Sequence, residues 1–183
     1  MRRLPFAREL LVVGVAVLLP AASAAARSRD RAHAPAPTAS IEFRASFDRE
    51  TYGRADPLQV TFHLKNTGTQ PVWVNTRFYL AAETAAPESR DVFLKVTAPS
   101  GAEVPCTFSH RTGLPKSEYF QLLAPGQDAS SEHPRDLRAF FDLKETGTYR
   151  VVATYANAFG AELGLETVKG PSTSAPVTFT VTQ

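Results

Sequence analysis

The chain has 183 residues, of which 43% are hydrophobic and 21% are charged, and its formal net charge is +2. This balance excludes proteins that bind nucleic acid by neutralising phosphates, because those need a clustered surplus of lysine and arginine. Cys106 is the only cysteine, so no internal disulfide can form and stability must come from packing. We expect Cys106 to be a buried small hydrophobe rather than a nucleophile.

The first 26 residues have the pattern of a secretory signal peptide. Positive charge comes from Arg2, Arg3 and Arg8. An apolar run follows over residues 10–19, and residues 22–24 have the small-x-small pattern of a cleavage site. We expect cleavage near Ala24 or Ala26 and export to the periplasm or the medium. The apolar run is shorter than the roughly 20 residues that cross a bilayer, so no membrane anchor is expected in the mature form.

The rest of the chain divides into a short linker and one domain. Residues 27–40 are rich in proline, alanine and arginine, and we expect them to be a disordered linker. Residues 41–183 are then a single domain, long enough to bury a core without disulfides.

Alternation of apolar and polar residues predicts strands through this domain. Residues 41–47 and 58–66 alternate strictly, and residues 71–75 follow a turn, so we expect a hairpin between the second and third strands. A second hairpin is predicted for residues 92–96 and 104–108. Further strands are predicted over residues 119–123, 128–133, 149–157 and 177–181.

Two local signals refine the fold class. Asp136 is placed to cap a single helical turn before residue 143. Residues 145–151 have the acidic-x-Gly-x-Tyr-x-apolar form of a tyrosine corner, in which the Tyr149 hydroxyl bonds the backbone upstream and Gly147 makes the turn. The sequence therefore predicts an all-β, immunoglobulin-like antiparallel sandwich of about seven to nine strands without a disulfide.

The residues predict no catalytic constellation, no metal site and no cofactor, and we expect that the protein is not an enzyme. The four histidines lack the spacing of a His-Glu-x-x-His zinc helix. Residues 130–133 read Ser-Ser-Glu-His, but neighbours along a strand alternate faces and cannot converge on one reacting atom. We interpret this segment as a polar strand edge.

Two predicted loops, over residues 76–90 and 109–118, mix aromatic or basic side chains with flexible residues, as contact surfaces often do. The candidate partner-binding residues are Phe78, Tyr79, His110, Arg111, Leu114 and Lys116. The alternative for the first loop is that Phe78 and Leu80 plug the end of the sandwich.

Several of these segments together resemble a known family. They are residues 58–76 (LQVTFHLKNTGTQPVWVNT), 91–93, 122–126, 136–137, 141–143 and 147–151. They resemble the N-terminal propeptide domain of deuterolysin-like and peptidyl-Lys zinc metalloendopeptidases and, more loosely, the bacterial intracellular proteinase inhibitor domain. The resemblance implies an immunoglobulin-like sandwich that precedes, folds with and restrains a catalytic domain. Arg77 departs from it, because the family is expected to have proline after Asn-Thr.

The expectation from the sequence is an exported, non-catalytic domain that binds another protein. The resemblance implies a secreted metalloendopeptidase as partner, which the domain would inhibit or chaperone in trans. The alternative is a structural or adhesive module of the cell envelope.

Overall fold

The computed structural model describes residues 38–108, 113–168 and 170–183. These residues form strands and short 3₁₀ helices and contain no α-helix, so the all-β prediction is confirmed. The strands are β1 (Ile41–Phe47), β2 (Thr51–Tyr52), β3 (Gln59–Asn66), β4 (Val72–Asn75), β5 (Val92–Thr97), β6 (Glu103–Val104), β7 (Phe120–Leu123), β8 (Asp128–Ser130), β9 (Arg135–Asp136), β10 (Gly147–Tyr155), β11 (Ser172–Thr173) and β12 (Val177–Val181). The 3₁₀ helices are Pro87–Ser89, Ser117–Tyr119, Leu137–Ala139 and Ala161–Leu163.

The predicted signal peptide and most of the predicted linker lie outside the described residues. Thr38 and Ser40, the end of that linker, are hydrogen-bonded: the amides of Thr67 and Gly68 donate to Ser40 O, and the Thr69 amide donates to Thr38 O. Pairing therefore begins just before Ile41. Within the described part of the chain, no helix has the length and apolar character needed to span a membrane.

The strands form three sheets. The first has the order β1-β3-β8, with β9 also beside β3. The second has the order β2-β12-β10-β5-β6, with β11 beside β10, and the third contains only β4 and β7. Neighbouring strands run antiparallel except β2, which is parallel to β12.

The first and second sheets share one hydrophobic core. Alternation in β1 turns Phe43 inward and leaves its neighbours exposed, as a strand with one wet face requires. The Phe43 ring lies 5.7 Å from the Tyr155 ring of β10. The Phe47 ring lies 4.9 Å from the Phe179 ring of β12, edge to face. Aromatic contacts thus join β1 to two strands of the second sheet.

The predicted hairpin between β3 and β4 is wrong. β4 pairs with β7 instead, with Val72 opposite Leu123. The reason is Asn66, which is buried at the end of β3. Its Nδ2 donates to Gln70 O at 2.8 Å and to Leu123 O at 2.9 Å. These bonds direct the chain out of the first sheet and towards β7.

The other local predictions agree more closely with the structure. The β5–β6 hairpin forms, but β6 is only two residues long, and Cys106 bridges to Phe141 instead of extending it. Asp136 caps the predicted turn, accepting from the Arg138 amide at 3.1 Å. Cys106 is a free thiol, half-buried against the core, and this burial raises the pKa of the thiol.

The hydrogen bond predicted for Tyr149 is confirmed. Its hydroxyl donates to Glu145 O at 2.9 Å, and its ring stacks on Phe179 with 5.1 Å between centroids. Gly147 has φ +129°, and a Cβ there would lie 2.9 Å from Pro99 Cβ. Only glycine fits this backbone and this close approach without strain.

We predict that Tyr149→Phe lowers the free energy of unfolding by about 1 kcal/mol, because it removes this hydrogen bond and keeps the ring. Urea denaturation of both proteins measures the difference. The matched control is Tyr119→Phe, at a half-buried tyrosine outside the core, where we expect a change within about 0.5 kcal/mol. Equal effects of the two substitutions would contradict the role given to the Tyr149 hydroxyl.

Candidate functional site

A cleft of about 620 Å³ opens where three segments meet. Its walls come from the loop after β4 (residues 76–79), the segment before β7 (residues 113–119) and the connection between β8 and β9 (residues 131–135). The first two walls are joined directly, because the Thr76 amide donates to Tyr119 O at 2.7 Å and its hydroxyl donates to the same oxygen at 3.0 Å. We refer to this feature as the cleft.

Three of the predicted partner-binding residues lie in the walls of the cleft: Tyr79, Leu114 and Lys116. Leu114 is 63% exposed, the most exposed large hydrophobic side chain among the described residues. His110 and Arg111 lie outside the described residues. The structure therefore brings together side chains from the two loops that the sequence singled out.

The prediction that Phe78 contacts a partner is corrected by the structure. Its ring is fully buried, 6.2 Å from the Phe62 ring and 6.3 Å from the Tyr155 ring. Phe78 also has φ +46°, unusual for a residue other than glycine, and this backbone turn directs the ring into the core. Leu80 is buried as well, so both side chains belong to the core, as the alternative that they plug the end of the sandwich requires.

The floor of the cleft is organised by a buried ion pair between Arg77 and Asp91. The Asp91 carboxylate is fully buried, and the Arg77 side chain is 9% exposed. Arg77 Nε donates to Asp91 Oδ2 at 2.7 Å and Nη2 donates to Oδ1 at 2.9 Å, a two-point contact. The Tyr79 amide and Asn75 Nδ2 also donate to this carboxylate, each at 2.9 Å. Four donors thus satisfy the buried charge, as burial requires.

The same guanidinium ties the walls together. Arg77 Nη1 donates to Gly113 O at 2.9 Å, and Nη2 donates to Glu88 O at 3.3 Å. Gly113 begins the segment that carries Leu114 and Lys116. Arg77 therefore links the loop after β4 to the segment before β7, and it fixes the spacing of the walls between which a ligand would lie.

The hydroxyl of Tyr155 holds the backbone of Asn75, one of the residues that donate to Asp91. The Tyr155 hydroxyl accepts from the Asn75 amide at 3.0 Å and donates to Asn75 O at 3.1 Å. Burial raises the pKa of Tyr155 well above its usual value, so the hydroxyl keeps its proton and the donated bond. This pair of bonds anchors Asn75, which in turn donates to Asp91, to Tyr155, the last residue of β10.

Sequence reasoning missed the third wall, which carries Glu132, His133 and Arg135. The sequence predicts only a polar strand edge for this segment, because no local pattern shows that a loop from another sheet faces it. Its Ser131 is bound to β3: the hydroxyl accepts from the Phe62 amide at 3.2 Å, and the Ser131 amide donates to Phe62 O at 2.9 Å. Across residues 38–108, 113–168 and 170–183, no group of three or more His, Cys, Asp or Glu side chains is arranged to hold a metal ion.

No protein-family model matches the chain, and no curated protein matches it. Among solved structures, a β-glucosidase from Erythrobacter marinus matches with a TM-score of 0.32 and 17% identity, over 79% of this chain and 16% of that one. So loose a superposition carries no argument about fold or activity.

We predict that Arg77→Met lowers the free energy of unfolding by about 3–5 kcal/mol, because it leaves a fully buried carboxylate without its cation. The matched control is Arg44→Met, whose ion pair with Asp128 is 3.3 Å long and half exposed, with an expected loss of about 0–1 kcal/mol. The double variant Arg77→Met/Asp91→Leu should recover part of the loss, because it removes the unpaired charge. Similar small losses in both single variants would show that the Arg77 pair is not structural.

Proposed function

We propose that the protein is an exported, non-catalytic domain that binds a segment of another protein in the cleft. The observation that carries the proposal is the composition of its walls. Side chains from three separate segments, aromatic at Tyr79 and Tyr119, apolar at Leu114 and basic at Lys116 and Arg135, meet in one opening. Half-buried aromatic and arginine side chains beside an exposed leucine, clustered over a rigid floor, are typical of protein-binding surfaces.

The free edge of the first sheet, at β8, suits a partner segment in an extended conformation. The Ser131 amide donates to Phe62 O, and the Asn66 amide donates to Gln127 O. Because backbone groups alternate along an antiparallel strand, the N–H and C=O groups of Asp128 and Ser130 point away from β3. Among the described residues no strand pairs with that side of β8. An extended segment could pair there and continue along residues 131–135 into the cleft.

We further propose that the fold is an immunoglobulin-like sandwich. Support comes from the shared core of the first and second sheets, from the antiparallel pairing of their long strands, and from the Tyr149 hydrogen bond at the start of β10. Residues 1–26 support export through their signal-peptide pattern.

The partner that we propose is a secreted zinc metalloendopeptidase, which the domain inhibits or chaperones in trans. This choice rests on the resemblance of residues 58–76, 122–126 and 147–151 to the propeptide domain of such enzymes. The segments that carry it build β3, β4, the turn after β7 and the start of β10, which surround the core beneath the cleft. A structural module of the envelope is the competing outcome of the experiment below.

The test compares capture of the partner by matched variants. The full chain, tagged at its C-terminus so that residues 1–26 can direct export, is expressed in the native host and recovered from periplasm and medium, as wild type, as Leu114→Ala/Lys116→Ala, and as the control Leu163→Ala/Lys95→Ala. The control removes an exposed leucine and an exposed lysine, 40% and 67% exposed, that lie away from the cleft. Co-purifying proteins are identified and quantified by mass spectrometry.

We expect a metalloendopeptidase with a His-Glu-x-x-His helix to co-purify with the wild type and the control in near-equal amounts. Its recovery with the cleft variant should fall at least about tenfold, which is equivalent to about 1.4 kcal/mol of binding free energy. The thermal stability of the three proteins should be the same, because all four side chains are exposed. Equal capture of an envelope component by all three proteins would contradict the proposal and favour the structural module.

A further inference from the structure

A second pocket, of about 470 Å³, lies beside the 3₁₀ helix Leu137–Ala139 and shares no residue with the cleft. Three cationic side chains line it, Arg54, Arg138 and Lys144, and Lys144 forms an ion pair with the single carboxylate of the lining, Asp142. We propose that this pocket binds a small oxyanion, a phosphate or carboxylate group, through the guanidinium of Arg138.

The Arg138 guanidinium is held in place by backbone oxygens. Nε donates to Asp56 O at 2.8 Å, Nη1 to Leu143 O at 3.2 Å and Nη2 to Gly53 O at 3.2 Å. These carbonyls belong to two separate loops, and Asp136 caps the turn that carries Arg138. The side chain is therefore fixed before any ligand arrives, which reduces the entropy cost of binding.

This guanidinium has no carboxylate within 4.0 Å among the described residues, unlike those of Arg44, Arg49 and Arg77. The acidic residues around Arg138 are engaged elsewhere, and the Asp142 carboxylate pairs with Lys144. The Asp56 carboxylate accepts from Arg49 and from the Gly53 amide, and the Asp136 carboxylate accepts from two backbone amides. A half-buried cation paired only with neutral carbonyls favours an anion at its open side.

The donors that remain are of the kind that binds an oxyanion. Arg138 has five N–H groups, and its three bonds to carbonyls leave one on each terminal nitrogen without an acceptor among the described residues. Two N–H groups of one planar guanidinium match two oxygens of a carboxylate or phosphate. Arg54 is exposed at the rim, and the buried side chains of Phe141 and Leu143 form an apolar backing that strengthens the attraction.

The experiment titrates the mature chain with inorganic phosphate, with succinate and with sodium chloride at matched ionic strength. Isothermal calorimetry gives the dissociation constants, and thermal unfolding gives the shift in midpoint. The variant Arg54→Ala/Lys144→Ala removes two exposed cations of the pocket, and Arg44→Ala/Lys95→Ala removes two exposed cations elsewhere. Arg138→Lys, which keeps the charge but loses the two-point contact, is measured beside them, with its folding checked by circular dichroism.

We expect phosphate, succinate or both to bind and to raise the unfolding midpoint above that in sodium chloride. Tighter binding of phosphate or of succinate would identify whether the pocket takes a phosphate or a carboxylate group. The affinity should fall at least about tenfold in Arg54→Ala/Lys144→Ala and stay unchanged in Arg44→Ala/Lys95→Ala. Folded Arg138→Lys should also bind more weakly. No difference between the anions and chloride, or equal binding by the two double variants, would overturn the proposal and leave the cleft unaffected.

Discussion

The ion pair between Arg77 and Asp91 is the interaction on which the candidate site depends. A fully buried carboxylate is costly unless it is paired and hydrogen-bonded, and here it receives two bonds from one guanidinium and two from Tyr79 and Asn75. The same guanidinium also donates to Gly113 O, so a single side chain links two walls of the cleft. Removing Arg77 would leave the buried Asp91 carboxylate without its cation and would break the link to the segment that begins at Gly113.

The network is also part of the second sheet, which makes the floor of the cleft rigid. The Asp91 amide donates to Tyr79 O at 2.8 Å, and Asp91 O accepts from the Ala156 amide at 2.8 Å. Asp91 therefore sits between the loop after β4 and the end of β10, immediately before β5 begins. Loops held by sheet strands in this way present contact residues at fixed positions, which lowers the ordering cost of binding.

The sequence predicts those features of the fold that depend on residues close together in the chain. Alternation located β1, β3, β5, β10 and β12, and the Tyr149 bond to Glu145 spans only four residues. It could not predict the partner of β4, because the bond from Asn66 to Leu123 joins residues far apart in the chain. For the same reason, the sequence shows Arg77 only as a departure from a family pattern, and no local signal predicts its pairing with Asp91 or the burial of Phe78.

Site-specific photo-crosslinking in the native host tests most directly whether the cleft is where the protein acts. Benzoylphenylalanine is placed at position 114, in the wall of the cleft, and at position 163, an exposed leucine outside it. Our account predicts a single strong crosslinked product from position 114, containing a metalloendopeptidase, and little or none of it from position 163. Crosslinks to the same protein from both positions, or only from position 163, would contradict the assignment of the cleft.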